Sequence, residues 1–288
     1  MMIGLSSYAY QWRLDASADD RWTVERVIED AARLEVGLVQ LCDLPELDRL
    51  AAEGLSRIRL AQRERLPQLR RLGDELGVSF EVGTKGIAPE HLLAYLDIAF
   101  ELGSPLVRSM LVTPAHRPTP AEAEAALRSV LPAYEAAGVT LALETYEQVA
   151  TADLVDLVAT IDSPGLGICL DPGNVVARLE HPADVVAMTV PWVRNLHVKD
   201  FAFTRSPDMV GFRFAGVPLG EGLLDYDGLV AAVDPSRRGI SRIIEQWVPW
   251  QGDSARTITL ETRWAEHALH WLRAADARAA AAGGGVSG

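Results

Sequence analysis

Lysine is almost missing from this chain. Of its 27 basic residues, only Lys85 and Lys199 are Lys, and the rest are Arg. Basic charge as a whole is outnumbered: 40 Asp and Glu leave a formal charge of −13 over 288 residues. A nucleic-acid binder needs a basic footprint, so this balance argues against an electrostatic grip on DNA or RNA. Cysteine is equally scarce. Cys42 and Cys169 cannot build a disulfide framework, and a reducing, cytoplasmic setting is expected. No apolar run reaches the roughly 18 residues of a membrane-spanning helix, so no membrane partner is expected. The opening stretch MMIGLSSYAYQW has neither a basic n-region nor a long apolar h-region, so no secretory signal is expected. The sequence also lacks a P-loop, a G-x-S-x-G and a C-x-x-C.

What is present is hydrophobic and evenly spread. Hydrophobic residues make up 49%, too many for a disordered chain. Eight short apolar runs read as strands: Ile3–Tyr8, Val36–Cys42, Val78–Val82, Leu106–Leu111, Val139–Glu144, Leu166–Asp171, Val193–His197 and Arg242–Gln246. Near-continuous apolar runs mark parallel strands buried on both faces. Between them lie helical patterns at Thr23–Leu34, Pro89–Leu102, Pro120–Ala137, Thr151–Ile161, Pro182–Met188, Tyr226–Val233 and Ile258–Ala275. Gly follows several helices just before the next strand, at Gly37, Gly77, Gly103 and Gly138, where a left-handed cap is expected.

Repeated helix–Gly–strand units predict an α/β fold, a (β/α)8 TIM barrel in a single domain over residues 1–275. The rival is a doubly wound sheet, but no G-x-G-x-x-G follows the first strand. The low-complexity end, residues 276–288, is expected to be a disordered tail. The stretch Phe201–Gly222, rich in Gly with scattered Phe, reads as a long βα-loop. Six Arg fall within Arg57–Arg71 and read as the solvated face of a long helix. His267 and His270 would lie on the outside of the barrel, away from the chemistry.

Barrel chemistry sits at the C-terminal ends of the strands. Four consecutive strands end in a polar group after an apolar run: Glu144, Asp171, His197 and Glu245. One buried carboxylate is expensive, and four groups on one rim need a shared counter-charge. A divalent metal ion supplies it. Three carboxylates and one imidazole suit Mn²⁺, Mg²⁺, Co²⁺ or Zn²⁺, and the oxygen-rich set tilts toward the harder ions.

The motifs Leu141-Ala142-Leu143-Glu144, Cys169-Leu170-Asp171-Pro172-Gly173-Asn174, Asn195-Leu196-His197-Val198-Lys199-Asp200 and Ile243-Ile244-Glu245-Gln246-Trp247 resemble the sugar phosphate isomerase/epimerase superfamily, the xylose isomerase-like TIM barrels. The resemblance covers residues 1–275. It implies one Mn²⁺-type ion held by Glu144, Asp171, His197 and Glu245, with the two Glu as an acid–base pair. It implies a small sugar or sugar-acid substrate, a metal-stabilised enediolate, and often a dimer or tetramer. Isomerisation or 3-epimerisation is the reaction expected of the superfamily at large. One departure stands out: many members place His where this chain has Asn174, a residue that hydrogen-bonds but does not titrate.

Further stretches are similar to the subgroup that includes 3-oxo-isoapionate decarboxylase. They are Glu81-Val82-Gly83-Thr84-Lys85-Gly86 and the run from Lys199 through Arg205, Met209 and Gly222. That resemblance implies loss of CO₂ from a 3-oxo sugar acid as the alternative reaction. A carboxylate substrate wants cations, and Lys199, Arg108 and Arg205 are the candidates. Lys199 is also a candidate catalytic group. A rim ion pair with Asp200 or Glu221 is its structural alternative. Lys85, Asn174, Tyr8, Trp12 and Trp247 are candidate substrate contacts. An endonuclease IV-like repair enzyme and a non-catalytic sugar-binding barrel are the remaining alternatives. Acidic charge and few His oppose the first, and the intact ligand quartet opposes the second.

Overall fold

The computed structural model describes residues 2–15, 21–53, 64–206 and 210–283. Chain order gives β1 (Ile3–Ser6), β2 (Leu38–Cys42), β3 (Ser79–Gly83), β4 (Leu106–Ser109), β5 (Thr140–Glu144), β6 (Leu166–Leu170) and β7 (Val193–Val198). Then come β8 (Asp200–Arg205), β9 (Phe212–Val217) and β10 (Ser241–Ile244). Strands β1–β7 and β10 close into a parallel barrel, with β10 between β7 and β1. The seam is set by the register Ile3↔Arg242, Gly4↔Ile243 and Leu5↔Ile244. This is the expected (β/α)8 barrel. Val, Leu and Ile supply most of the buried strand surface, with Gln40, Glu81, Asn195 and Arg242 among the buried polar exceptions, and the strand ends are the places where polar groups can meet solvent.

The helices follow their sequence signals closely. Pro89–Leu102, Pro120–Ala137, Thr151–Ile161 and Tyr226–Val233 lie as expected. A Thr119–Glu122 capping box starts the second of these. Gly77, Gly103 and Gly138 sit at φ 70°, 69° and 67°, ending three helices without a Cβ penalty. Gly37 does not act this way: Glu35 takes the left-handed position, at φ 57°.

Several segments differ from expectation. The first strand stops at Ser6 because a 3-10 turn over Ser7–Tyr10 lifts Tyr8 onto the rim. The helix Pro45–Glu53 follows β2, where none was expected. Within Phe201–Gly222, β8 and β9 pair as an antiparallel hairpin rather than an open loop. Asp200 fastens its base, accepting hydrogen bonds from the backbone N–H groups of Phe201, Gly220, Gly222 and Leu224. Met209 lies outside the described residues. The helix Arg65–Leu76 carries the last part of the Arg-rich run, whose residues 57–63 are also outside them. Arg65 is no solvated bystander: it bridges Glu25 and Glu46 between three helices.

The last helix runs Ser254–Gly283, past residue 275, because its Ala-rich end has high helix propensity. Residues 284–288 lie outside the described part. Asp276 belongs to the packed barrel. Its two carboxylate oxygens accept from Arg242 Nη1 and Nη2, each at 2.7 Å, and Arg242 is fully buried. Asp276→Ala is expected to cost about 2–3 kcal/mol, because it strands a buried guanidinium. The urea midpoint should fall with an unchanged m-value. Among the described residues, no helix is long and apolar enough to cross a membrane.

Glu261 on that helix accepts from the backbone N–H groups of Trp12 and Arg13, at 2.7 and 3.3 Å. Burial pushes its carboxyl from 4.5 up to about 7, against the opposing pull of those N–H groups. The folded state therefore binds the proton more tightly than the unfolded state. Stability from this group is present below the unfolded value and is lost as pH rises through about 7. The stability gap between wild type and Glu261→Gln should shift by about 2–3 kcal/mol against wild type between about pH 5 and pH 8. Denaturant titration at both pH values measures it.

Candidate metal centre

Four strand ends converge on one point. Glu144 closes β5, Asp171 follows β6, His197 lies near the end of β7, and Glu245 follows β10. All four are buried, and one ligand atom from each falls within 4.8 Å of all the others. Local chain chemistry aims them. Asp171 Oδ1 accepts from the backbone N–H of Gly173 and Asn174, at 2.9 and 3.3 Å, which leaves Oδ2 facing the centre. Glu144 Oε1 accepts from Asn174 Nδ2 at 2.8 Å, and Glu245 Oε1 accepts from Ser6 Oγ at 3.1 Å.

His197 tests whether a cation fits. Its Nδ1 lies 3.3 Å from Glu144 Oε1, 3.3 Å from Glu245 Oε1 and 3.7 Å from Asp171 Oδ2. It forms no hydrogen bond with any of them. A buried nitrogen among three carboxylates with no hydrogen-bond partner is the geometry of a ligand set. Three hard oxygen donors and one imidazole suit a divalent metal ion. Burial disfavours the imidazolium, but Cys169, Glu245 and Glu144 outweigh it and push the His197 pKa well above its ordinary value.

Two buried cations complete the electrostatics. Arg108 Nε is 2.5 Å from Glu144 Oε2, and its Nη1 donates to the Thr84 carbonyl at 3.0 Å. Lys199 Nζ is 2.7 Å from Asp171 Oδ2 and donates to Glu245 Oε2 at 3.0 Å. The lysine is therefore not the alternative rim pair with Asp200 or Glu221. Burial would raise the Asp171 carboxyl, but Lys199 and His197 outweigh it and hold it down at about 2. The same carboxylates raise the Lys199 ammonium above its ordinary range in spite of burial. Lys199 Nζ also stands 4.4 Å from the Trp247 ring centroid, a cation–π contact.

A cavity of about 220 Å³ opens above the cage. It brings together Tyr8, Lys85, Arg108, Asn174, Lys199 and Trp247 of the residues singled out from the sequence. Two others lie elsewhere. Arg205 is exposed at the hairpin tip, its guanidinium over Phe212, because the β8–β9 pairing carries it away from the barrel. Trp12 donates from Nε1 to the Val248 carbonyl and lines a neighbouring groove of about 720 Å³.

Several contributors were not singled out. Asp43 accepts from Tyr8 Oη, pairs with Lys85 at 3.2 Å and lies 3.5 Å from Arg108. It follows β2 at φ 52°, a strained conformation for a residue with a Cβ. The strand-end rule that finds Glu144 would also have found it. Met110, Glu147 and Phe214 line the cavity too. Phe214 comes from the unexpected hairpin and meets Trp247 edge-on at 5.6 Å.

This combination defines a class: a TIM barrel whose catalytic rim can hold one metal ion. The chain belongs to the xylose isomerase-like TIM barrel family, whose model matches residues 85–275, and it is an enzyme. It is 43% identical over 272 residues to 3-oxo-isoapionate decarboxylase of Pectobacterium atrosepticum, covering 94% of this chain and 95% of that protein. Among solved structures it resembles D-psicose 3-epimerase from Clostridium cellulolyticum H10. There the TM-score is 0.67 with 18% identity, over 95% of this chain and 98% of that one. It also resembles a xylose isomerase-like TIM barrel protein from Mycobacterium smegmatis solved in complex with magnesium. That match has a TM-score of 0.64 and 17% identity, over 93% and 97% of the two chains.

Proposed function

We propose that this enzyme is a metal-dependent decarboxylase of a 3-oxo sugar acid of the 3-oxo-isoapionate type. One observation carries the reading against the expected isomerisation or epimerisation. Two-base epimerisation needs carboxylates free to take and return a proton on both faces of the substrate. Here Glu144 is held by Asn174 and Arg108, and Glu245 by Ser6 and Lys199. Decarboxylation of a 3-oxo acid needs no base to begin. The extensive identity to a decarboxylase supports the same choice.

In this reading Glu144, Asp171, His197 and Glu245 hold the ion, Mn²⁺ or Mg²⁺ by their chemistry. When bound, the ion supplies Lewis acidity for negative charge on the substrate's oxo oxygen. The bond between the carboxyl carbon and its neighbour breaks, CO₂ leaves, and the electron pair moves toward that oxygen. The neighbouring carbon then takes one proton. Lys199 is the donor, with Nζ at the cage and beside the cavity, and it recovers a proton from water. Arg108 fixes Glu144 and keeps positive charge beside the oxyanion. Met110, Phe214 and Trp247 give the cavity an apolar wall. Lys85 and Tyr8, at the open side, meet the substrate's hydroxyl-bearing end.

A CO₂-release assay on 3-oxo sugar acids tests the reading. Activity should vanish on chelation and return with added Mn²⁺. Epimerisation of ketoses with no CO₂ from any 3-oxo acid would overturn it.

A further inference from the structure

Below the cage, on the barrel floor, lies a second polar layer that the proposed chemistry does not use. Gln40 from β2, Glu81 from β3, Asn195 from β7 and Ser241 from β10 are all buried. Glu81 is a carboxylate whose hydrogen-bond donors are all neutral. Its Oε2 accepts from Gln40 Nε2 and Asn195 Nδ2, both at 2.9 Å, and its Oε1 accepts from Ser241 Oγ at 2.6 Å. Burial raises its proton affinity, and the three donors offset only part of this. A carboxyl group in the interior with no cation paired to it among the described residues is costly, so its position calls for a reason.

The structure assigns Glu81 as a positioning residue that acts through Gln40 to fix which nitrogen of His197 faces the metal cage. This rests on the reading of that cage as a metal site. Each link follows from what the groups can donate and accept. Glu81 accepts from all three of its side-chain neighbours, and so holds the amide nitrogen of Gln40 toward itself. Asn195 Oδ1 accepts from the same nitrogen at 3.1 Å and reinforces the choice. Asn195 is itself oriented by Glu81 and by Ser241 Oγ, at 2.7 Å from its Nδ2.

Gln40 Oε1 is thereby turned upward, where it meets His197 Nε2 at 2.8 Å and Cys42 Sγ at 3.2 Å. An amide oxygen only accepts, so His197 Nε2 carries the hydrogen. Nδ1 is left to offer its lone pair to an ion bound among the three carboxylates. A flipped Gln40 would set its oxygen against the Glu81 carboxylate. It would also force the imidazole hydrogen onto Nδ1, in the middle of the cage. Outer partners of this kind set ligand orientation and basicity. The relay also gives a role to the first residue of the Glu81–Gly86 stretch.

The test uses the full chain and four variants: Glu81→Met, Glu81→Gln, Gln40→Met and the double Glu81→Met/Gln40→Met. Mn²⁺ affinity is measured by calorimetry. The His197 ring is followed by ¹⁵N NMR of the Zn²⁺-loaded protein, where wild type should show hydrogen on Nε2 and metal on Nδ1. Glu81→Met and Gln40→Met should each weaken Mn²⁺ binding about 10–100-fold. The double variant should bind no more weakly than Gln40→Met, since the effect travels through Gln40.

Glu81→Gln keeps an acceptor beside Gln40 and should retain the hydrogen-bonded Nε2–H shift that Glu81→Met loses. If Glu81→Met does not fold, the contrast between Gln40→Met and Glu81→Gln carries the test through the same signal. Wild-type Mn²⁺ affinity in Glu81→Met, additive losses in the double variant, or an Nε2–H resonance left at its wild-type shift in Gln40→Met would overturn the relay alone. A wild-type chain that takes up neither Mn²⁺ nor Zn²⁺ would overturn the metal reading itself.

Discussion

Glu245→Gln is expected to lower kcat/KM for CO₂ release by about 10³-fold or more, which is about 4 kcal/mol of lost transition-state stabilisation. The substitution keeps the size of the side chain and removes its charge. Glu245 supplies one of only three carboxylates at the cage, and its other oxygen holds Lys199 at 3.0 Å. The variant should therefore lose both metal affinity and the placement of the proton donor. Lys199 keeps its contact with Asp171 at 2.7 Å, so the ammonium is not stranded and the barrel should fold. Mn²⁺ titration and thermal unfolding separate these effects. Near-normal turnover by a folded variant would contradict the proposed ligand set.

Lys199→Met is expected to split two quantities that usually move together. Turnover should fall about 10²–10³-fold, because the proposed proton donor is gone. Mn²⁺ binding should stay as tight as in wild type or become tighter. The reason is geometric: the ammonium lies against Asp171 and Glu245, where it competes with a divalent ion for the same oxygens. The metal-free variant should unfold at a lower temperature, because two buried carboxylates lose their cation. The metal-loaded variant should recover most of that loss. Weaker Mn²⁺ binding in Lys199→Met would show that the lysine supports the cage instead of serving the substrate.

The two lysines illustrate how far sequence reasoning reaches. Both stand just beyond strand ends, and both line the cavity. The barrel and the convergence of the four strand-end residues were legible because they rest on local signals. Apolar runs mark strands, Gly marks helix ends, and a carboxylate after an apolar run marks a rim. Arg205 was misplaced because its location depends on β8 pairing with β9. That pairing is a tertiary choice, made by Asp200 gathering four backbone N–H groups. Trp12 lies near the first strand end, yet Val248 and Trp250 turn it toward the neighbouring groove. The floor network was illegible for the same reason. Gln40, Glu81, Asn195 and Ser241 come from four strands and meet only when the barrel closes, and singly each reads as an ordinary polar residue within a strand.

The central claim is that this rim breaks a carbon–carbon bond and then delivers a single proton. Turnover of a 3-oxo sugar acid in D₂O, followed by mass spectrometry and CO₂ detection, tests it most directly. The account predicts one CO₂ released and one deuteron fixed on carbon per molecule of product, both lost on chelation and both restored by Mn²⁺. Deuterium entering the substrate carbon skeleton with its carboxyl group retained would contradict it and identify an epimerase or isomerase instead.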